Sequence, residues 1–202
     1  MERMAIDLTG PHPPSRGGHV YILTSIDLFT KWAEAVPLRN KEAITVARAL
    51  VKEVFGRIGT PLQLLSDQGP EFEAGIMQAL CQVLKVDKLR TTAYHPSTNG
   101  CIERFHRTLN SMLGKVVADH QRDWAEWLPS VMTAYRASPH EATQYSSNFL
   151  MFGRELRASV DQLFEPPDAA AEYRTYPEYV AEQLRVQRET FRLVREHLGV
   201  AA

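Results

Sequence analysis

Cysteine is scarce in this chain, with only Cys81 and Cys101 among 202 residues. The two cysteines form no CxxC pair, and the chain shows no paired His/Cys spacing. The sequence therefore predicts neither a disulfide framework nor a structural zinc site. We expect a reduced intracellular chain in which both thiols are ordinary core or near-surface groups.

Long apolar runs are also missing. No segment approaches the roughly 20 apolar residues that a membrane-spanning helix needs. The first residues, MERMAIDLTG, lack the charged-then-apolar order of a signal peptide, since the second residue is already acidic. We therefore expect no membrane partner.

The chain has no excess of positive charge, because its formal net charge is −1. Nucleic-acid-binding domains are often basic, so this balance counts mildly against a DNA partner unless basic residues gather on one local face. The composition, 44% hydrophobic and 23% charged, is that of a globular protein able to bury a sizeable core.

The order of apolar and β-branched segments predicts an α/β fold. Three early segments predict an antiparallel meander, and two later ones, each separated by a helical pattern, predict parallel strands of the same mixed sheet. The predicted strands are MAIDL, HVYILTSIDLF, KWAEAVPL, LQLLS and DKLRTT.

Helical periodicity predicts the remaining elements. The helices are expected from Lys41 to Gly59, from Pro70 onward, from about Thr98 to Ala118, around Trp124 to Tyr135, and from about Pro177 to Leu198. Their expected inward stripes include Ile44, Val51, Ile76, Val83, Ile102, Phe105 and Leu109. The last helix is rich in Arg, Glu and Gln, so it could pack on a partner, act as a linker or be a solvated tail.

Three acidic residues stand at unusual places. Asp7 interrupts the first apolar strand, Asp67 follows the buried strand LQLLS, and Glu103 lies early in the long helix. Ligand sites in open α/β sheets gather beyond strand ends. Three carboxylates meeting there could hold two hard divalent ions for phosphoryl transfer.

Each acid also has an ordinary interpretation. Asp67 before Gln68-Gly69 could be a turn residue, and Glu103 could be a first-turn glutamate favoured by the helix dipole. Asp7 is harder to explain in this way, because a carboxylate inside an apolar strand is costly unless it is paired or binds a metal.

The combination of motifs resembles the catalytic core of retroviral and gypsy-type retrotransposon integrases, from Asp7 to about Gly153. As in the D,D-35-E arrangement of that family, 35 residues separate Asp67 from Glu103. The segments that carry the resemblance are IDLTGPHPPSRGGHVYILTSIDLFTKWAEAVPL, SDQGPEF and TTAYHPSTNGCIERFHRTLNSML.

This resemblance implies an RNase H-like fold, with a catalytic core at 1–155 and a helical tail or linker at 156–202. It implies 3′-end processing and DNA strand transfer that depend on two Mg²⁺ or Mn²⁺ ions, held by Asp7, Asp67 and Glu103. It also implies element ends and target DNA as partners, assembly as a homo-oligomer, and a nuclear location.

The resemblance further implies DNA contacts around the third acid. On a helix, His106, Arg107 and Asn110 share the face of Glu103, and Arg104 adds positive charge nearby. The family comparison places Tyr94 and Asn99 near DNA, in a loop ending at Gly100. For the basic residues the alternative is a solvated helix face, and for Tyr94 it is an aromatic side chain that covers the edge of the core.

The chain departs from the family at a few positions. Family members commonly have Gln in place of Ser97 or Cys101 and Asn in place of His106. They also carry an N-terminal zinc domain and a C-terminal domain, so we expect an excised core, a gene fragment or a domesticated remnant. The alternatives to an active integrase are a non-catalytic DNA- or protein-binding module and an RNase H-like nuclease acting on RNA hybrids.

Overall fold

The computed structural model describes residues 1–90, 96–117, 121–156 and 175–199, with the side chains of 96–99 left out. The chain divides into two compact units, Met1–Met132 and Thr133–Ala202. The expected division into 1–155 and 156–202 stays a prediction. Within the described ranges, no helix has the length and apolar character needed to cross a bilayer.

The first unit contains a five-stranded mixed sheet, which confirms the predicted fold class. Its strand order is β3-β2-β1-β4-β5, with β1 antiparallel to β2, β2 antiparallel to β3, and both β1–β4 and β4–β5 parallel. The strands are β1 (Arg3–Thr9), β2 (Tyr21–Asp27), β3 (Ala33–Leu38), β4 (Gln63–Ser66) and β5 (Asp87–Arg90).

Strand β1 lies at the centre of the sheet and its two faces differ. Met4 and Ile6 are almost completely buried and belong to the main hydrophobic cluster. Because side chains alternate along a strand, Asp7 points to the opposite face from Ile6. In the antiparallel ladder Asp7 is paired with Thr24 of β2.

Helices cover the sheet and continue into the second unit. Helix α1 continues directly into a π-helical segment, Leu50–Phe55, and α2 follows that segment. The helices are α1 (Ala43–Ala49), α2 (Gly56–Ile58), α3 (Pro70–Glu73), α4 (Gly75–Val83), α5 (Pro96–Val116), α6 (Trp124–Ala137), α7 (Ser147–Phe152) and α8 (Tyr176–Leu198).

Helix α5 begins earlier than predicted. The segment from Pro96 to Gly100, expected as a loop, is the first part of the helix, which starts at Pro96 and not at Thr98. Proline is tolerated there because the first helical residues have no intrahelical partner for their N–H groups. Strand β5 ends at Arg90, and the two threonines predicted to extend it lie outside the described residues.

The predicted inward stripe of α4 is partly wrong, although Leu80 and Leu84 pack against the main core. Ile76 and Val83 are 41% and 80% exposed, whereas Met77 and Cys81 are buried. The sequence pattern suggested one helix from Pro70, but Ala74 has extended backbone angles (φ −60°, ψ 147°) and separates α3 from α4. The helical periodicity restarts after this break, so a count that begins at Pro70 does not predict which face of α4 is buried.

The predicted stripe of the first helix is also partly wrong. Ile44 and Val51 are exposed at 44% and 43%, while Val46, Val54 and Phe55 are buried. A π-helical turn contains more residues than an α-helical turn, so the inward face shifts along Leu50–Phe55 relative to a 3.6-residue period.

The second unit contains the short capped helix α7 and the long last helix α8. The Ser146 hydroxyl accepts a hydrogen bond from Phe149 N at 3.0 Å at the start of α7. Near the end of α8, Val194 is fully buried, while Val180 and Leu184 are 52% and 46% exposed. The predicted apolar stripe of this helix is thus buried only toward its C-terminal end.

We predict that the two faces of α4 respond differently to truncation. Met77→Ala should lower the free energy of unfolding by about 2–4 kcal/mol, because it leaves a cavity in the main core. The matched change Val83→Ala, on the exposed face, should alter it by less than about 0.5 kcal/mol. Urea unfolding followed by circular dichroism measures both values, and equal losses would contradict the observed orientation of α4.

Candidate active site

The candidate site forms where β1 and β4 run side by side. Asp7 is half-buried near the end of β1, and its Oδ1 accepts a hydrogen bond from Leu8 N at 2.8 Å. The parallel ladder pairs Ala5 with Leu65. Continuing that register by two residues puts Asp67 level with Asp7, so the sheet itself brings the two aspartates together.

The turn after β4 holds the Asp67 carboxylate close to a second acid. Asp67 Oδ1 accepts a hydrogen bond from Gly69 N at 3.0 Å. A Cβ atom on Gly69 would lie 3.1 Å from Asp67 Oδ1 and 3.2 Å from the Glu71 carboxyl group. Glycine at this position therefore lets both carboxylates occupy the same turn.

A partly buried lysine supports this turn from β5. Lys88 Nζ donates to Ser66 Oγ at 2.7 Å, and Ser66 Oγ donates to the Asp67 carbonyl oxygen at 2.8 Å. Lys88 also lies 3.7 Å from Glu73, which accepts two hydrogen bonds from Arg90. This network fixes the backbone at the residue where the second carboxylate must be placed.

Helix α5 brings the third acid to the same place. Phe105 and Leu109 are almost completely buried on its inner side, and the helix packs against β1. Glu103 lies on the exposed side of the same helix. Packing of the apolar face therefore determines where the Glu103 carboxylate stands relative to the sheet.

Negative charge is concentrated around Asp7. Burial, together with repulsion from the carboxylates of Asp67, Glu71 and Glu103, raises the pKa of Asp7 from its ordinary 3.8 to about 6, although the hydrogen bond from Leu8 N opposes this rise. The ionised form of Asp7 is therefore disfavoured, first by burial and then by the neighbouring carboxylates.

His106 contacts the same aspartate from α5. Its Nδ1 lies 3.8 Å from Asp7 Oδ2, and its Nε2 lies 2.7 Å from Thr24 Oγ1. Burial is the main cause that lowers the pKa of His106; the charge of His12 lowers it further and that of Glu103 raises it. His106 is therefore part of the candidate site and not only of the outer face of α5.

The donor chemistry of the site fits a hard divalent cation. Carboxylate oxygens are the ligands that Mg²⁺ prefers, and a bound cation would offset the repulsion that raises the pKa of Asp7. Within the part of the chain that the structure describes, no three His, Cys, Asp or Glu side chains are grouped closely enough to hold an ion. The carboxylates are thus near one another without forming a closed cage.

The other predicted DNA-contacting residues differ in how the structure places them. Arg104, Arg107 and Asn110 are exposed on α5. Asn99 lies in the first turns of α5 and not in a loop, and its side chain is outside the described part. Tyr94 lies outside the described residues.

Two residues of the site were missed by sequence reasoning. Thr24 is fully buried and is the ladder partner of Asp7 on the neighbouring strand β2. A hydroxyl within an apolar strand could have indicated that Thr24 belongs to the site once the register was known. Glu71 adds to the charge around Asp7, and an acid in the first turn of a helix, where Glu71 lies in α3, gives no sequence signal for that role.

Comparison with known families and sequences gives related proteins. Residues 1–96 match the family described as Integrase core domain. The chain is 33% identical over 153 residues to the Retrovirus-related Pol polyprotein from transposon 412 of Drosophila melanogaster, covering 76% of this chain and 12% of that protein. It is 34% identical over 125 residues to the Gag-Pol polyprotein of Avian reticuloendotheliosis virus, covering 62% and 11%. The chain therefore spans about an eighth or less of the length of these polyproteins.

Solved structures with a similar fold are integrase cores and an assembly. The catalytic core domain of BIV integrase has a TM-score of 0.60 and 19% identity, covering 81% of this chain and 99% of that one. The trimeric HTLV-2 integrase catalytic core in complex with magnesium has a TM-score of 0.60 and 14% identity, covering 72% and 93%. The simian T-cell lymphotropic virus intasome with PP2A regulatory subunit B56 gamma has a TM-score of 0.60 and 18% identity, covering 78% and 56%.

We predict that Asp7→Asn stabilises the metal-free protein at neutral pH. The folded-state pKa of Asp7 is raised, so its ionisation opposes folding above about pH 6, and this cost disappears below its ordinary pKa of 3.8. In EDTA at pH 7.5 the variant should gain about 1 kcal/mol in free energy of unfolding, a value reduced for partial exposure. The gain should shrink as the pH falls from 7 to 4.

Urea unfolding across this pH range measures the effect. Asp87→Asn, an exposed aspartate on β5, is the matched control and should change stability by less than about 0.5 kcal/mol at every pH. A loss of stability in Asp7→Asn that is the same at pH 4 and pH 7.5 would show that Asp7 is not under electrostatic strain.

Proposed function

We propose that the chain is the catalytic core of a DNA integrase, because its residues 1–96 match the family described as Integrase core domain. Its reactions would be the metal-dependent trimming of the 3′ ends of an element's DNA and the transfer of the freed 3′-hydroxyls to target-strand phosphates. The observation that carries the proposal is that the charges of Asp67, Glu71 and Glu103 lie close to Asp7, near the end of the central strand.

Three carboxylates would hold the metal. Asp7, Asp67 and Glu103 are the acids in the D,D-35-E arrangement. Asp7 has the other two acids near it and would be shared by two ions. Bound Mg²⁺ or Mn²⁺ would activate the attacking oxygen and stabilise the leaving oxygen of an in-line displacement. The magnesium in the HTLV-2 integrase core supports this choice of cation.

The chain's own residues would position the DNA. Arg104, Arg107 and Asn110 are exposed on the helix that carries Glu103, so they can contact phosphates without reading base sequence. Tyr94 and Asn99 remain proposed DNA contacts. A local basic face of this kind is compatible with a net charge of −1, because phosphate contacts depend on nearby charges more than on the total.

Assembly would bring two DNA ends together. Similar folds occur in a trimeric integrase core and in an intasome, which supports a homo-oligomer acting on element ends and target DNA. A nuclear location is part of this proposal, because the target would be chromosomal DNA.

We predict that Asp67→Asn abolishes DNA joining and nicking by the 202-residue chain. Branched DNA that mimics an integration product should be resolved by the wild-type protein with Mn²⁺ or Mg²⁺, and the variant should lose at least about a hundredfold in rate, since an essential metal ligand is removed. A gel assay with end-labelled branched DNA measures both.

The matched control for this assay is Asp87→Asn. Asp87 is an exposed aspartate at the start of β5 and is not one of the acids around Asp7, so activity should stay within about threefold of wild type. A folded wild-type protein that is inactive with both metals would overturn the proposal of catalysis and favour a non-catalytic binding module. Cleavage of RNA hybrids but not of branched DNA would favour an RNase H-like nuclease.

Metal binding should be detectable without DNA. We predict that millimolar Mn²⁺ raises the melting temperature of the wild-type chain by several degrees, because an ion that binds only the folded state stabilises it. Glu103→Gln should abolish most of that gain, whereas Glu178→Gln, on the exposed start of α8, should keep it. An equal Mn²⁺ effect in all three proteins would show that Glu103 does not bind the ion.

A further inference from the structure

We propose that His106 Nδ1 is an additional ligand of the metal ion held by Asp7, so that the site binds through nitrogen as well as oxygen. This inference rests on the proposed metal-dependent function and adds a residue outside the three acids. The geometry that points to it is the triangle of contacts among Thr24, His106 and Asp7.

The Thr24 hydroxyl determines which ring nitrogen of His106 carries hydrogen. Thr24 Oγ1 donates its only proton to the Asp7 carbonyl oxygen at 3.1 Å. Its oxygen can therefore only accept at the 2.7 Å contact with His106 Nε2. The neutral imidazole must then carry its hydrogen on Nε2, which leaves Nδ1 with a free lone pair.

That lone pair faces the free oxygen of Asp7. Oδ1 of Asp7 already accepts from Leu8 N, so Oδ2 is the oxygen left for another contact. Nδ1 and Oδ2 are 3.8 Å apart, beyond the roughly 3.2 Å limit of a good hydrogen bond. A proton shared between the two atoms does not account for this spacing.

A bound cation does account for it. Protein nitrogen and oxygen ligands lie about 2.0–2.2 Å from divalent metal ions such as Zn²⁺ and Mg²⁺. Two ligands of one ion are consequently at most about 4.2–4.4 Å apart, and the observed 3.8 Å is within that limit. Because Nδ1 and Oδ2 both offer lone pairs, a cation bound between them would satisfy both.

The surroundings hold this pair of ligands in place. Thr24 is fully buried in the sheet, and the His106 side chain is only 16% exposed. Phe105, the preceding residue, is anchored on the inner side of α5. A hydrogen bond from the second ring nitrogen to a fixed partner is the usual way in which proteins orient a metal-binding histidine.

The nitrogen donor changes which ions the site prefers. Imidazole suits Mn²⁺, Co²⁺ and Zn²⁺ better than Mg²⁺, which selects oxygen ligands. The site should therefore discriminate between Mn²⁺ and Mg²⁺ more strongly than three carboxylates alone would. Replacing His106 by Asn, the residue common in the family, should reduce that discrimination.

Electron spin-echo spectroscopy of the Mn²⁺-loaded 202-residue chain tests the proposal directly. A nitrogen ligand produces ¹⁴N modulation of the Mn²⁺ signal, which we expect in the wild-type protein and not in His106→Asn. The matched control is His12→Asn, because His12 is a neighbouring imidazole whose charge affects the pKa of His106. This variant should keep the modulation. Titration should show Mn²⁺ affinity falling roughly tenfold or more in His106→Asn, with Mg²⁺ affinity changed less than about threefold.

The Thr24 contact has its own test. Thr24→Ser keeps the hydroxyl and should keep the modulation. Thr24→Val removes the hydroxyl and should weaken Mn²⁺ binding on the order of tenfold. The wild-type spectrum alone can overturn the inference, whatever the variants do: Mn²⁺ bound without ¹⁴N modulation excludes the nitrogen ligand. Modulation that persists in His106→Asn, or that is lost in His12→Asn, also overturns it.

These results are separate from those that judge the proposed function. Active DNA joining without ¹⁴N modulation would leave the integrase activity intact and remove His106 as a ligand. Modulation in a protein that fails to join DNA with either metal would establish the ligand and overturn the catalytic proposal.

Discussion

The placement of Asp7 in the central strand is the constraint on which the site depends. A carboxylate between Ile6 and Leu8 cannot move away from the sheet, because its strand is paired on both sides and one face of that strand is part of the main core. The acids of the turn after β4 and of α5 must therefore be positioned next to Asp7. Burial of Asp7 and repulsion from these acids raise its pKa to about 6, which is the electrostatic cost of gathering carboxylates at one place.

The surrounding structure opposes this repulsion by fixing the backbone and not by neutralising the charge. Lys88 reaches Ser66, whose hydroxyl holds the Asp67 carbonyl, and Gly69 leaves room for the Asp67 and Glu71 carboxylates in one turn. These contacts act on the backbone behind the acids and add no positive charge next to their carboxylates. A site of this kind lowers stability when empty and gains it when a cation binds, as expected where function opposes stability.

His106 illustrates how a helix position can acquire a role that its spacing does not reveal. Three residues after Glu103, it was expected on an outer DNA-facing surface together with Arg107 and Asn110. Its ring instead lies between Thr24 and Asp7, because α5 packs against β1 closely enough for a side chain at the edge of the apolar stripe to reach the sheet. The contact joins residues 82 positions apart in the chain, which local periodicity cannot anticipate.

The sequence by itself determined the five strands, the mixed sheet, the family resemblance and the three acids, because alternation, turn residues and motif spacing are local properties. It failed where rotation about a helix axis mattered: the extended Ala74 and the π-helical Leu50–Phe55 moved the buried faces of their helices. Only the tertiary structure decided that Thr24, Glu71 and His106 join the site. Their roles depend on strand register and helix packing between distant segments, and these are set by burial of the whole core.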